Sequence, residues 1–475
     1  MRGSDGMADS AAVRGPTTGQ GGPERLSWAL KLAYSSPAIA LAVVGVPIFF
    51  YLPAFYTDVV GVDPVLFAVI FLASRMFDGI ADPIMGTISD RTRTRWGRRR
   101  PFLVLGALPL ALSVILVYSP PIMSSAASTL WLGATLFFLY AAWTCVIVPY
   151  EALGPELTFD YDERTRVLGL REAAYILGTI LAVGTPILLD RWIPAGPDHE
   201  RRKYLWFGLI YAPTIIFTLV ICARVVRERA PATSAHHFTV GSTLALFRNR
   251  PFRILVVAFV VAALGNNLPA VLIPYYVTYY LGSDRIHEIL LSYFVLSVLF
   301  VPAWLWLSQR IGKKSAFVWA MLVNSAAFLP VYFLAPGAET AYWLCVAISG
   351  TAGGAIVVLP PTMLADVIDY DELVSGARRE GQYVGVWFIA RKMAAAVGAG
   401  IGLLSLGLAG YKANEVQPEH VLSTLRAFYV LVPVVLNALS VALVMGFPIG
   451  RAEYDRIRQA VAVRAAGGDA PDPLA

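Results

Sequence analysis

Cysteine is scarce in this chain: Cys145, Cys222 and Cys345 stand far apart, in or beside apolar runs. That spacing excludes a disulfide framework and a metal cluster, and leaves three small buried apolar groups. Charge is sparse as well. Only 15% of the 475 residues are Asp, Glu, Lys or Arg, while 57% are hydrophobic, too little polar surface for a soluble domain of this length. No zinc-finger or glycine-rich RNA-binding pattern accompanies the arginines, so the formal charge of +6 does not point to a nucleic-acid partner. The spacing of polar residues shows no nucleophile, base and oxyanion set, so neither an enzyme nor a cofactor is expected.

What the chain has instead is apolar length. Runs long enough to cross a hydrocarbon core, about 20 residues each, centre near residues 43, 77, 110, 138, 182, 214, 265, 297, 325, 350, 396 and 436. Lipid cannot satisfy open backbone groups, so these runs must be helices, and they are too long for barrel strands. The expected fold is an all-α membrane protein with twelve transmembrane helices in two six-helix bundles. Residues 26–225 and 251–449 make the bundles, joined by a polar linker, 226–250, that holds Arg227, Arg229, His236, His237, Arg248 and Arg250. Residues 1–25, rich in Gly, Ser and Pro without the apolar core of a cleaved signal, read as a disordered tail. Residues 450–475 form a second tail with a short amphipathic stretch, AEYDRIRQAVAVRA.

The linker, the run RTRTRWGRRR at 91–100 and the cluster Arg310, Lys313, Lys314 fall on one side, with both termini. The positive-inside rule makes that side cytoplasmic, in a bacterial inner membrane; the opposing cluster Arg201, Arg202, Lys203 is diluted by Asp198 and Glu200. The halves echo one another: PAFYTDVVG at 53–61 matches PYYVTYYLG at 274–282, and the basic turn at 91–100 matches QRIGKKSAF at 309–317. Two related halves around a cavity suit alternating access.

Charge inside a membrane helix is costly and marks function. Arg75, Asp78 and Asp82 follow helical spacing onto one stripe, where paired carboxylates hold a small cation or share a proton because both resist being charged and empty. A purely structural Arg75 pairing is the alternative. Arg75 on that stripe is a gating candidate, with Asp90, Arg98 and neighbouring arginines at the basic turn. In PYEALGPELTFDYDERTR, 149–166, Glu151 is placed near the cavity as a further gating candidate, and the distal charges in surface salt bridges. Arg171 could fork onto a carboxylate or another acceptor. In MLADVIDYDELVSGARREG, 363–381, Asp366 and Asp369 are gating candidates. Adjacent Arg391 and Lys392 must point apart, so one can face the cavity, with Lys392 the candidate, while the other snorkels or pairs elsewhere; a structural ion pair is the alternative. Tyr56, Asn266, Asn267, Tyr383 and Trp387, with Tyr275 and Tyr276, offer ring faces and amides to a sugar, although aromatics also anchor helices.

The stretch RMFDGIADPIMGTISDRTRTRWGRRRPF, 75–102, resembles the glycoside-pentoside-hexuronide:cation symporters of the major facilitator superfamily, a family that includes the melibiose permease. YTDVVG at 56–61, PYEALGPELT at 149–158 and LADVIDYDELVSGARREG at 364–381 extend the resemblance through most of the membrane core. It implies cation-coupled transport of a sugar or glycoside through two six-helix bundles. It also implies a cation pair at Asp78 and Asp82, an assisting hydroxyl at Thr144, a functional lysine at Lys392 and a family arginine at Arg171. An asparagine that helps sodium bind in the melibiose permease is matched by Ala81, and its two sugar-gripping carboxylates by Ala42 and Ile147. These departures move the expected coupling ion to H+, with Na+ at Asp78 and Asp82 as the alternative, and argue against melibiose-like binding. Proton symport of a small-molecule sugar or glycoside by a monomer among membrane lipids, without an obligate protein partner, is therefore expected. Sodium-coupled uronide or lysolipid transport, export, and a non-transporting sensor are the alternatives.

Overall fold

The computed structural model describes residues 25–158, 160–228, 245–376 and 379–465. The expected tail at 1–25, most of the linker at 226–250 and the last ten residues lie outside them, apart from Arg25, 226–228 and 245–250.

Among the described residues, twelve helices are long and apolar enough to cross a membrane. The first half holds α1 (Trp28–Phe50), α2 (Pro64–Arg91), α3 (Arg100–Tyr118), α4 (Ser125–Leu153), α5 (Arg166–Trp192) and α6 (His199–Val225). The second holds α7 (Arg250–Leu281), α8 (Ile286–Ile311), α9 (Lys313–Phe333), α10 (Glu339–Ser375), α11 (Glu380–Leu408) and α12 (Glu419–Met445). The amphipathic stretch near the end is helical, α13 (Arg451–Ala465). Every apolar centre read from the sequence falls within one of the twelve. Among the described residues the sole β pairing is an isolated bridge, Thr94 to Gly97, in the basic turn.

Local chemistry starts and stops these helices. Asp63 accepts hydrogen bonds from the Val65 and Leu66 amides ahead of Pro64, and Ser27, Ser124 and Asn249 cap α1, α4 and α7 in the same way. The basic turn is capped from a distance: the Glu228 carboxylate accepts from the amides of Arg98, Arg99 and Arg100 at 2.6, 2.8 and 2.8 Å. Gly97 stands at φ 108°, a conformation that disfavours any Cβ, and one there would press on the Glu228 carboxylate.

The internal repeat is visible in the backbone. After α1 the chain winds into a wide π turn, Phe55–Val60, ended by Gly61 at φ 86°; α7 ends in the same turn, Tyr276–Leu281, with Gly282 at φ 67°. The basic turns each carry a left-handed glycine, Gly97 and Gly312. A further echo joins REAAYILG at 171–178 in α5 to RKMAAAVG at 391–398 in α11. Its glycines do the same work. A Cβ on Gly178 would collide with the Ile39 backbone of α1, and one on Gly398 would lie 2.9 Å from the Leu264 carbonyl oxygen of α7. Small residues let α5 close on α1 and α11 on α7, the way helices associate in lipid.

Candidate functional site

The α2 stripe meets α11 of the other half. Asp78 is fully buried and Asp82 is 23% exposed at its side chain. The Lys392 ammonium lies 3.1 Å from Asp78 Oδ2 and in direct contact with Asp82 Oδ2. Thr144 of α4 places its hydroxyl 2.9 Å from Asp78 Oδ1 and 3.1 Å from Asp82 Oδ1. Arg75 reaches Asp78 Oδ2 at 3.3 Å while its guanidinium lies over the Phe49 and Tyr140 rings, 5.1 and 4.9 Å from their centroids. Two carboxylates therefore face two cations, so the cluster is neutral when empty. A hydroxyl donates one proton, so Thr144 serves one carboxylate at a time. The arrangement can exchange one positive charge for another at the join between halves.

Around it, Glu151 is half-buried within electrostatic reach of Arg171, Arg391, Lys392 and Asp82. Arg171 pairs with its neighbour Glu172. In the α5 and α11 echo, Glu172 occupies the place of Lys392 and Arg171 that of Arg391, a correspondence detectable by aligning the two halves.

Other expected site residues lie elsewhere. Tyr56 is buried within the first half and donates to the Val117 carbonyl at 2.8 Å. Tyr383 is buried against Phe252 and accepts from Asn249 at 3.2 Å. Trp387 stacks on Phe259 with centroids 4.1 Å apart. Asn267 donates to the Ala263 carbonyl at 2.7 Å, beside Gly398, whereas Asn266 borders a cavity in the second half.

Asp90, Arg98 and Asp366 tie helix ends within each half. Arg98 and Arg99 both lie 3.0 Å from Glu156, and Arg99 3.2 Å from Asp90. In the second half Lys313 pairs with Asp366 at 2.5 Å, with Asp369 half-buried one turn on. Glu163, expected among surface salt bridges, is instead buried: it holds Lys31 at 2.7 Å and the Leu26 amide at 2.8 Å. The Lys31 hydrogen bond keeps its carboxyl below the usual glutamate range. The structure therefore corrects that reading, because the start of α1 folds over this side chain.

Sequence reasoning missed Asp58, which sits in the π turn at the end opposite the arginine turn. Its carboxylate accepts from Thr57, Tyr411 and Tyr279 at 2.6, 2.7 and 3.0 Å, and its carbonyl from Asn414 at 2.8 Å. Tyr279, Tyr411 and Asn414 belong to the second half, so this is a second polar bridge between halves. Nothing local signals it beyond an acid in an apolar segment. At the same end Asp190, His199 and Glu200 cluster, but Lys203 already lies 3.0 Å from Asp190 and 2.6 Å from Glu200.

The sequence pattern of the MFS/sugar transport protein family matches residues 33–451. The chain belongs to that family. The resemblance to the glycoside-pentoside-hexuronide:cation symporters thus holds, and this MFS/sugar transport protein is an integral membrane protein of twelve apolar helices. It is 26% identical to the isoprimeverose transporter of Lactiplantibacillus pentosus, over 90% of each chain. It is 26% identical to the glucuronide carrier protein homolog of Escherichia coli (strain K12), over 91% of this chain and 95% of that one. The sodium-dependent lysophosphatidylcholine symporter 1 of Xenopus tropicalis is 27% identical over 94% and 92%. Among solved structures, a bacterial homolog of the human lysosomal transporter Spinster, inward-facing and unoccupied, superposes with a TM-score of 0.60 at 15% identity, covering 93% of this chain and 98% of that one. The nucleoside transporter NupG gives 0.59 at 12%, covering 88% and 98%. These two likenesses establish the fold.

Proposed function

We propose that this protein couples proton entry to uptake of a neutral sugar or glycoside across a bacterial inner membrane, with both termini in the cytoplasm. The single observation that carries the reading is the Lys392 ammonium held between Asp78 and Asp82 of the opposite half. A proton on Asp82 weakens that tie and releases α11 from α2. Without the proton, the ion pair opposes separation of the halves. The membrane potential adds about 2.3 kcal/mol per elementary charge per 100 mV to inward movement.

A proton is favoured over sodium because a hard cation needs several oxygen ligands, and Ala81 beside the pair offers none. A neutral substrate is favoured over a uronide because Arg171 and Lys392 are already committed to carboxylates. The isoprimeverose transporter and the glucuronide carrier homolog set the probes. In proteoliposomes, isoprimeverose is expected to drive proton uptake that is lost in Asp82→Asn and unaffected by sodium. Sodium-dependent flux would overturn the ion assignment, and flux of methyl glucuronide or lysophosphatidylcholine alone would overturn the substrate class.

A further inference from the structure

Three asparagines and a serine from four helices form a polar chain deep in the second half. Asn266 of α7 donates to the Ala262 carbonyl at 2.8 Å and to Asn437 of α12 at 3.4 Å. Asn437 donates to Asn324 of α9 at 3.4 Å, and Asn324 to Ser349 of α10 at 2.8 Å. Each amide nitrogen has two N–H groups. Among the described residues, the chain therefore leaves one N–H on Asn437, one on Asn324, the Ser349 O–H and the Asn266 carbonyl oxygen without a protein partner. Two of its links stand at the long limit of a hydrogen bond. Buried amides left partly satisfied are costly in apolar surroundings.

These four side chains line a cavity of about 90 Å³, completed by Phe50, Tyr293, Phe328 and Tyr429 among others. Among the described residues lining it none is charged. Phe50 comes from the first half and meets Phe294 edge-on at 5.5 Å, so an occupant touches both halves. Packing alone does not demand the amides. Aligning Gly61 with Gly282 and Gly97 with Gly312 puts Gly45 at the place of Asn266 and Pro109 at that of Asn324. The same architecture is built in the first half without them.

We propose that Asn266, Asn324, Ser349 and Asn437 form a subsite for a small, uncharged, hydroxylated group, the diol or hydroxymethyl end of a neutral glycoside. The chemistry matches: hydroxyls accept from the two spare N–H groups and donate to the Asn266 oxygen, while ring faces cover the carbon side. The volume matches too, at about three waters of roughly 30 Å³ each. It admits a diol, and its open side leaves room for the rest of the glycoside. The subsite deepens the sugar-transport reading and rests on it for its substrate.

The test uses the full chain with Cys145, Cys222 and Cys345 replaced by alanine and the substitution Ser349→Cys added, reacted with N-ethylmaleimide. Isoprimeverose, and glycerol at high concentration, are expected to slow the reaction about fivefold or more. Adding Asn324→Leu should weaken that protection about tenfold, the cost of a lost buried hydrogen bond. Asn324→Ser serves where the leucine variant fails to fold. No slowing by either neutral probe overturns the subsite. Proton uptake by the unmodified protein is read separately. Protection without coupled proton movement leaves the subsite standing and removes the symport reading, and the converse removes the subsite alone.

Discussion

The Tyr411 hydroxyl donates a 2.7 Å hydrogen bond to the Asp58 carboxylate, fastening the π turn after α1 to the loop after α11 across 353 positions of sequence. With Tyr279 and Asn414 on the same acid, this contact closes the two halves at the end opposite the arginine turn. Hydrogen bonds to a charged group contribute about 1.5–3 kcal/mol each. Tyr411→Phe is therefore expected to shift the closed-to-open ratio about tenfold or more toward opening at that end. Spin-label distances between the loop after α1 and the loop after α11 read the shift. An unchanged distance distribution would show that the clasp does not hold the closed state.

The two carboxylates of α2 should respond differently to neutralisation. Asp78 is fully buried against Arg75, Lys392 and Thr144, and Asp78→Asn strands Arg75 without its acid. Breaking a buried pair from one side costs about 3–5 kcal/mol, so this variant should melt markedly lower. Asp82, partly exposed, should tolerate Asn with little loss of stability while losing coupled proton movement. Thermal unfolding in detergent, set beside transport, separates the two. Equal stability of both variants would contradict the burial difference.

Lys392→Met removes the ammonium from between the carboxylates. Substrate-driven proton uptake should then fall at least about a hundredfold, because charge exchange is lost, while Asp78 keeps its Arg75 partner and the fold persists. Retention of coupled uptake in this variant would remove the lysine from the mechanism.

Gly178 and Gly398 occupy matching places in the repeat and face backbone of α1 and α7. Valine at either position should force its helix pair apart and lower stability by about 1–3 kcal/mol. Gly169, whose added Cβ meets nothing within 4 Å, serves as the control that should tolerate alanine. Melting temperatures of the three variants provide the check.

The Glu163 carboxyl is held below its ordinary value by Lys31. A depressed acid stabilises above its unfolded pKa, near 4.5, and the stabilisation is lost as pH falls through the lower folded value. Amide exchange at Leu26, corrected for the intrinsic rate, should therefore accelerate on acidification below that range. Glu163→Ala should reproduce the acceleration at neutral pH. An alanine variant that leaves Leu26 as protected as before would contradict the assigned contact.

Much of the fold was readable because lipid imposes strong local rules. The twelve helices follow from apolar run lengths, and the two-fold repeat from matched π-turn and basic-turn segments. The spacing of Asp78 and Asp82 put both on one stripe before any packing was known. The aromatic candidates were less readable. Tyr56, Tyr383 and Trp387 could face a sugar or a neighbouring helix with equal chemical sense, and composition does not say which way a ring turns. Glu163 was misplaced for the same reason, since the turn of chain that buries it comes from Leu26 and Lys31.

By itself the sequence determined the number of spans, the halves, the family motifs and the placing of acids within apolar helices, because each depends on neighbours a few residues apart. Tertiary structure alone decided that Lys392 meets Asp82 across 310 residues, that Asp58 is held by second-half tyrosines, and that three asparagines join into one chain. Those contacts depend on how helices rotate and approach one another. Small-residue packing and buried polar pairing set that rotation, and both act between segments distant in the chain.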